Sequence, residues 1–234
     1  MTSILRAKAV AVMIGMTAVS YLFHKWSTPH ERGFHCSDHT IAKPFYPVII
    51  PMFTVLCMAL TTLFLTVVTT EYLFGFHLKQ VIDELTKFYV GLMSSILLTH
   101  ICKTYFGRLR PNSIDGICNA RHYCADDPTR YVDQFVCINA SPRMAREARM
   151  SFYSGHSALA MYVAFYAVLY LLYRFKSNTN PKTKCIVYAI QCIIFILGMI
   201  PGFTQGYIYW HHWSDIGTGY SVGALIAYLA INYA

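Results

Sequence analysis

The sequence is poor in charge, and poorest in acidic charge. Asp and Glu account for 11 of 234 residues and Lys and Arg for 19, so charged residues make up 13% of a chain that is 56% hydrophobic. A soluble globular domain carries about 25% charged residues. The low charge of this chain therefore excludes an ordinary soluble domain. The few acidic residues show no metal-ligand spacing, and the basic residues are scattered rather than clustered, which excludes nucleic acid as a partner. No internal repeat occurs, and we expect one membrane-embedded domain over residues 1–234.

Six apolar segments have close to the roughly 20 residues that cross a bilayer as a helix. They are 4–23, 47–70, 86–105, 157–173, 185–203 and 216–233. The first is interrupted by Arg6 and Lys8 and has the character of a signal-peptide core. We interpret it as a retained signal anchor, with a cleaved signal peptide as the alternative. The predicted fold is an all-α, integral-membrane six-helix bundle. The sequence leaves open whether the protein forms a homo-oligomer.

Basic residues orient this bundle, because they concentrate in short cytoplasmic loops. The side that holds both termini carries Arg6, Lys8, Lys79, Lys87, Arg174, Lys176, Lys182 and Lys184. We therefore expect cytoplasmic termini and exoplasmic first, third and fifth loops, the third (104–155) being the only large one. The sequence leaves open whether the membrane is the plasma membrane or an endomembrane.

Four of the eight cysteines, Cys36, Cys118, Cys124 and Cys137, fall in predicted exoplasmic loops, where oxidation is permitted. Two disulfides are compatible with them, in any of three connectivities. The other cysteines lie in or beside apolar segments and fit as apolar fillers. Asn139 begins an Asn-Ala-Ser glycosylation acceptor, which the following Pro142 disfavours.

Two cations stand at the exoplasmic end of the third segment, in "KTYFGRLRP". Lys103 and Arg110 are seven residues apart, nearly two helical turns, so a continuous helix projects both from one face. Pro111 is expected to stop that helix. Alone, the pair is also typical of basic residues that cap a helix C-terminus and reach the membrane interface.

A serine, a glycine and a histidine stand at the start of the fourth segment, in "SFYSGHSALA". Ser154 and Gly155 at a helix start leave backbone N–H groups free for an anion, and His156 adds a titratable proton. The alternative is an N-cap serine beside an interfacial histidine.

The third cluster is "GYIYWHHWSD", before the last segment. If the stretch is helical, His211 and Asp215 share one face, and the carboxylate holds one imidazole nitrogen while the other faces a substrate. The alternative is a helix cap within an interfacial aromatic belt. The six-span topology places all three clusters at the same exoplasmic end, where together they describe a phosphate-ester site.

These motifs resemble those of the type 2 phosphatidic acid phosphatases, also called lipid phosphate phosphatases. The resemblance includes Lys103 with six residues to Arg110-Pro111, Ser154-Gly155-His156, and His211 with three residues to Asp215. It extends to "GFHCSD", "GRLRP", "ARMSFYSGHS" and "HHWSD", and the animal phospholipid phosphatases look closest. The superfamily also contains glucose-6-phosphatase and the vanadium haloperoxidases.

The resemblance implies a mechanism. His211 attacks phosphorus to form a phosphohistidine, Asp215 orients it, and His156 protonates the leaving lipid alkoxide. The resemblance also implies that Lys103, Arg110, Ser154 and Gly155 bind the phosphoryl oxygens of a lipid phosphate, with no metal cofactor and no need for magnesium.

The sequence departs from the family in one place. Where the family has Ser-Arg ahead of its last histidine, this chain has Thr204 and Gln205, and no Lys or Arg follows Cys185. Glutamine offers a hydrogen bond to phosphate but no charge. We expect either a phosphatase that is slow or has an altered preference, unless Arg108 or Arg149 supplies the missing charge, or an impaired homologue that binds lipid phosphates or partner proteins without turnover. A transporter is disfavoured, because Glu71 and His100 are the intramembrane ionisable residues and both lie near segment ends.

Overall fold

The computed structural model describes residues 3–138 and 140–233, with side chains from residue 10 onward, so Asn139 lies outside the described residues. Each of the six apolar segments falls on a long helix. The helices are α1 (Ser3–Trp26), α2 (Met52–Leu73), α3 (Leu78–Phe106), the short α4 (Pro142–Glu147), α5 (Gly155–Arg174), α6 (Pro181–Tyr207) and α7 (Trp213–Tyr233).

Four of the described helices, α2, α3, α5 and α6, are long and apolar enough to cross a membrane. The chain is therefore a mostly helical membrane protein, as the composition predicts. Membrane crossing by α1 and α7 stays a prediction, as does the orientation of the chain.

Helix α5 lies at the centre of the helical body. In its most apolar window 72% of the residues are buried, against 22% in α2 and in α6. It packs against α2, α3, α6 and α7. Small residues such as Ala158 and Ala164 let neighbouring helices approach it closely, because their side chains project little from the helix surface.

A close approach of α7 to the beginning of α5 depends on glycine. A Cβ added to Gly219 would lie 2.7 Å from the carbonyl oxygen of Ser154, closer than packed atoms come. One turn earlier on α7, the backbone carbonyl of Asp215 accepts a hydrogen bond from the N–H of Ser154 at 3.1 Å. The contact places the first turn of α7 beside the N-terminus of α5.

The segments 27–51 and 107–154 form a small folded layer, which we call the loop cap. Two short strands, β1 (Phe34–His35) and β2 (Tyr131–Val132), pair antiparallel within it. Two disulfides, Cys36–Cys124 and Cys118–Cys137, select one of the three predicted connectivities. The remaining cysteines are free; they are Cys57, Cys102, Cys185 and Cys192.

Helix α3 ends earlier than predicted. The last helical residue is Phe106, and Gly107 follows in the left-handed region at φ 52°. The first loop crosses here, because the N–H of His30 donates to the carbonyl of Thr104 at 2.8 Å, and a Cβ on Gly107 would collide with the His30 carbonyl. The prediction of a continuous helix from Lys103 to Arg110 is therefore wrong.

Candidate active site

The connection between α6 and α7 folds back onto the last turn of α6. The carbonyl oxygen of Gln205 accepts the N–H groups of Trp210 at 2.9 Å and His211 at 3.3 Å. His211 thus precedes α7, and the expectation that it shares a helical face with Asp215 is wrong. The two side chains still meet, with 3.8 Å between His211 Nδ1 and Asp215 Oδ2.

Asp215 is fully buried, and three other groups hold its carboxylate. Ser151 Oγ donates to Oδ2 at 2.6 Å, the N–H of His212 donates to the same oxygen at 3.1 Å, and Arg108 donates to Oδ1. Because 3.8 Å is too long for a hydrogen bond, the carboxylate acts on His211 through its charge, from a fixed position.

Arg110 fixes the tautomer of His211. Its Nη1 lies 3.1 Å from His211 Nε2. A guanidinium only donates hydrogen bonds, so Nε2 is the acceptor and carries a lone pair. The proton of the neutral ring then sits on Nδ1, facing Asp215.

Burial, followed by the positive charge of Arg110, holds the pKa of His211 well below its ordinary value of 6.5. The imidazole is therefore neutral at physiological pH. A buried, neutral imidazole with its Nε2 lone pair directed at a cation has the protonation state that a nucleophile needs.

Arg110 is itself enclosed by protein groups. Its Nε donates to the carbonyl of Glu147 and its Nη2 to Glu147 Oε2, both at 2.6 Å, while Nη1 also donates to the carbonyl of Trp210 at 2.9 Å. The guanidinium carbon lies 4.9 Å from the centre of the Trp210 ring. These contacts leave Arg110 little freedom to move.

Lys103 and Gly155 lie next to each other where α3 meets the start of α5. Lys103 Nζ donates to the carbonyl of Met150 at 2.8 Å, and a Cβ on Gly155 would lie 3.9 Å from Lys103 Cε. Ser154 is the N-cap of α5, and its Oγ accepts from the N–H of Ser157 at 3.4 Å. The next N–H groups of the first turn have no acceptor within the helix, so an anion beside Lys103 would find donors.

His156 lies on the first turn of α5, with its Nε2 at 3.1 Å from the carbonyl oxygen of Ile50. A carbonyl only accepts, so Nε2 carries a proton. Among the residues that the structure describes, His156 makes no side-chain hydrogen bond to the other predicted site residues.

Of the two arginines considered as compensation for Gln205, one reaches the site. Arg108 binds Asp215 and Ser214. Arg149 is directed away, because its guanidinium lies 4.1 Å from the centre of the Phe135 ring and donates to the carbonyls of Arg32 and Phe135.

The structure thus joins the three predicted motifs through Lys103 beside Gly155, Arg110 beside His211, and Ser154 beside Asp215. Sequence reasoning missed Glu147 and Ser151. Ser151 stands within the quoted motif stretch, so its position was a usable signal. Glu147 carried none, since one carboxylate in an arginine-rich loop predicts only an ion pair.

The apolar helices and the buried histidine, carboxylate and cations at one end of them define a helical membrane protein with a polar site at its helix ends. The chain belongs to the PAP2 superfamily, whose model matches residues 84–234. The family resemblance predicted from the motifs is therefore confirmed.

Curated relatives give the same family. The chain is 30% identical to rat phospholipid phosphatase 1 over 222 residues, covering 88% of this chain and 76% of the relative. It is 30% identical to mouse phospholipid phosphatase 2 over 224 residues, covering 88% and 77%. Human phospholipid phosphatase 2 is 30% identical over 226 residues, covering 88% and 74%. No solved structure matches the chain.

Proposed function

We propose that the protein is an integral-membrane phosphohydrolase that releases inorganic phosphate from phosphatidate, lysophosphatidate or related lipid phosphates. The names of its relatives support this substrate class. The observation that carries the proposal is the contact of Arg110 with His211 Nε2, because it leaves this nitrogen unprotonated beside a cation.

In the first step, the Nε2 lone pair of His211 attacks phosphorus, and the bond from phosphorus to the ester oxygen breaks. His156, protonated on both ring nitrogens beside the bound phosphate, gives its Nδ1 proton to the departing lipid alkoxide and becomes neutral. The Asp215 carboxylate stabilises the positive charge that develops on the imidazole. The product is a phosphohistidine and a lipid alcohol.

In the second step, His156 takes a proton from water as the water oxygen attacks phosphorus. The bond from phosphorus to Nε2 breaks, which releases phosphate and restores neutral His211. Lys103, Arg110, Ser154 Oγ and the N–H of Gly155 stabilise the negative charge on the phosphoryl oxygens in both steps.

We also propose that the reaction needs no metal ion. Lys103 and Arg110 are fixed cations that supply the charge which magnesium provides in other phosphoryl transfers. Activity that survives an excess of EDTA, and is not raised by added magnesium, is the expected result.

The site is proposed to face the exterior or the lumen of an organelle. Both disulfides lie in the loop cap, at the same end of the helices as His211. Disulfides persist in oxidising compartments, which supports the orientation that the basic residues predict.

The test is phosphate release from a short-chain phosphatidate in detergent micelles. We expect His211→Ala to abolish it and to abolish an acid-labile, alkali-stable phosphoenzyme trapped with labelled substrate. His122→Ala, at an exposed histidine of the loop cap, is the control and should match the unmodified protein. Phosphate release that continues at the normal rate in His211→Ala would refute the mechanism.

A catalytically impaired homologue is the second candidate, and Gln205 favours it. Losing one charge-assisted contact to a developing anion costs roughly 3–4 kcal/mol, about a hundred- to a thousandfold in rate. This candidate predicts binding of lipid phosphate vesicles that His211→Ala leaves unchanged, with no phosphoenzyme in the unmodified protein.

A further inference from the structure

The guanidinium of Arg110 is almost completely engaged without any substrate. Of its five N–H donors, four have protein acceptors: the Glu147 carbonyl, Glu147 Oε2, the Trp210 carbonyl and His211 Nε2. Two of the four acceptors belong to Glu147. This one residue therefore contributes most to the position of the cation beside His211.

Glu147 is held in place by the end of α4. The helix begins at the capping residue Ser141, and its C-cap Ala148 accepts the backbone N–H of Arg110 at 2.9 Å and Ser113 Oγ at 2.7 Å. The backbone of the Arg110 segment and its side chain are thus fixed by adjacent residues of one short helix.

The carboxylate of Glu147 is ionised. Burial alone raises the pKa of Glu147, but the charges of Arg110 and Lys103 outweigh burial and leave the pKa below its ordinary value. The side chain of Arg110 is 4% exposed and that of Glu147 is 30% exposed. The pair therefore extends from the buried site toward solvent, with the carboxylate on the outer side.

We propose, on the basis of the phosphohydrolase function above, that Glu147 is a positioning residue. It holds Arg110 so that the N–H bound to His211 Nε2 passes to a phosphoryl oxygen when Nε2 attacks phosphorus. A donor already aimed at the place where charge develops needs no reorganisation during the reaction. Without Glu147, repulsion from Lys103 favours movement of the guanidinium toward solvent.

A double-mutant cycle tests this inference. We expect Glu147→Ala to lower kcat about ten- to a hundredfold with a smaller change in KM, because the contact is strongest in the transition state. Glu147→Gln keeps an acceptor for Nη2 and should lose less than about tenfold. In the Arg110→Ala background, Glu147→Ala should cause no further loss, since a residue that acts through Arg110 has no effect once Arg110 is absent.

Asp115→Ala is the matched control. Asp115 pairs with Arg121 at 2.8 Å in the same loop cap, at an exposed position, and its removal should leave kcat unchanged. Losses that multiply in the double variant, or a normal kcat in Glu147→Ala, would overturn the inference. If Glu147→Ala does not fold, the same criteria apply to Glu147→Gln with and without Arg110→Ala.

The failure of the proposed function is separable from this result. If the proposed function is wrong, the unmodified protein releases no phosphate, or releases it at the same rate as His211→Ala. Orthovanadate binding, measured as protection against thermal unfolding, gives a readout that does not depend on turnover. It should be weakened by Glu147→Ala, not by Asp115→Ala, and an equal effect of both variants would also count against a positioning role.

Discussion

The amide nitrogen of Gln205 is a buried donor without a partner among the described residues. Leaving such a group unsatisfied costs about 1–3 kcal/mol. The backbone carbonyl of the same residue accepts a hydrogen bond from the N–H of His211. The backbone of Gln205 therefore contacts that of the proposed nucleophile. In the proposed reaction, we expect this amide to donate to a phosphoryl group bound to His211.

Gln205→Arg should increase phosphate release about ten- to a hundredfold, because it restores a charge-assisted contact to the phosphoryl oxygens. The measurement is kcat/KM with short-chain phosphatidate. Gln205→Lys restores the charge without the planar fork and should gain less, and Gln205→Met removes the donor and should lower the rate. Equal rates in Gln205→Arg and the unmodified protein would show that Arg108 already supplies the missing charge.

Single residues of the site could be predicted where they belong to a sequence motif. They could not be predicted where only a tertiary contact brings them to the site. The spacing of His211 and Asp215 indicated a dyad, although the reason for their proximity is the turn before α7 rather than a shared helical face. The sequence suggested Arg108 only as a compensating charge, because its contact with Asp215 depends on how the loop cap folds. Glu147 had no local signal at all.

The positions of the helices could be predicted from local sequence, but the residues at which they end could not. Apolar length located all six long helices, but α6 continues through Pro201 to Tyr207 and brings Gln205 into its last turn. Helix α3 stops at Phe106, because the first loop binds the backbone there and Gly107 adopts a positive φ. Neither end could be read from proline positions: a distant loop binds the end of α3, whereas the residues that follow α6 fold back onto its own last turn.

An ion pair joins α2 to α5 at the end of the helices opposite the site. Glu71 is fully buried, and its carboxylate accepts hydrogen bonds from Tyr170 and from Arg174 Nη2, the latter at 3.1 Å. The Arg174 guanidinium also lies 4.7 Å from the centre of the Phe74 ring. Removing one partner of a buried pair leaves an uncompensated charge.

Arg174→Met should lower the free energy of unfolding by about 3 kcal/mol, because Glu71 is then buried without its cation. The double variant Glu71→Gln/Arg174→Met should recover most of this loss, since no unpaired charge remains. Thermal unfolding in detergent micelles measures both, with the exposed Lys176→Met as control. A midpoint for Arg174→Met equal to that of Lys176→Met would contradict the assignment.

At the scale of the whole molecule, the helices and the loop cap contribute different parts of the site. Gly155 and His156 lie at the start of α5 within the helical body, whereas Arg108, Arg110 and Glu147 belong to the loop cap. Composition predicted the helical body and motif spacing predicted its site residues. The cap could not be predicted, because its two short strands and its disulfide pairing join segments that are far apart in sequence.

The Cys36–Cys124 disulfide joins the first loop to the third across 88 residues, whereas Cys118–Cys137 closes 19 residues within the third loop. Loop-closure entropy predicts that Cys36→Ser/Cys124→Ser costs about 4.5 kcal/mol of stability, and Cys118→Ser/Cys137→Ser about 3 kcal/mol. The first variant should also lose more activity on warming, because the cap then separates Arg110 from His211. Cys57→Ser/Cys185→Ser, at exposed free cysteines, is the control. Thermal unfolding and residual phosphate release measure the two effects, and a larger loss in Cys118→Ser/Cys137→Ser would contradict this role of the cap.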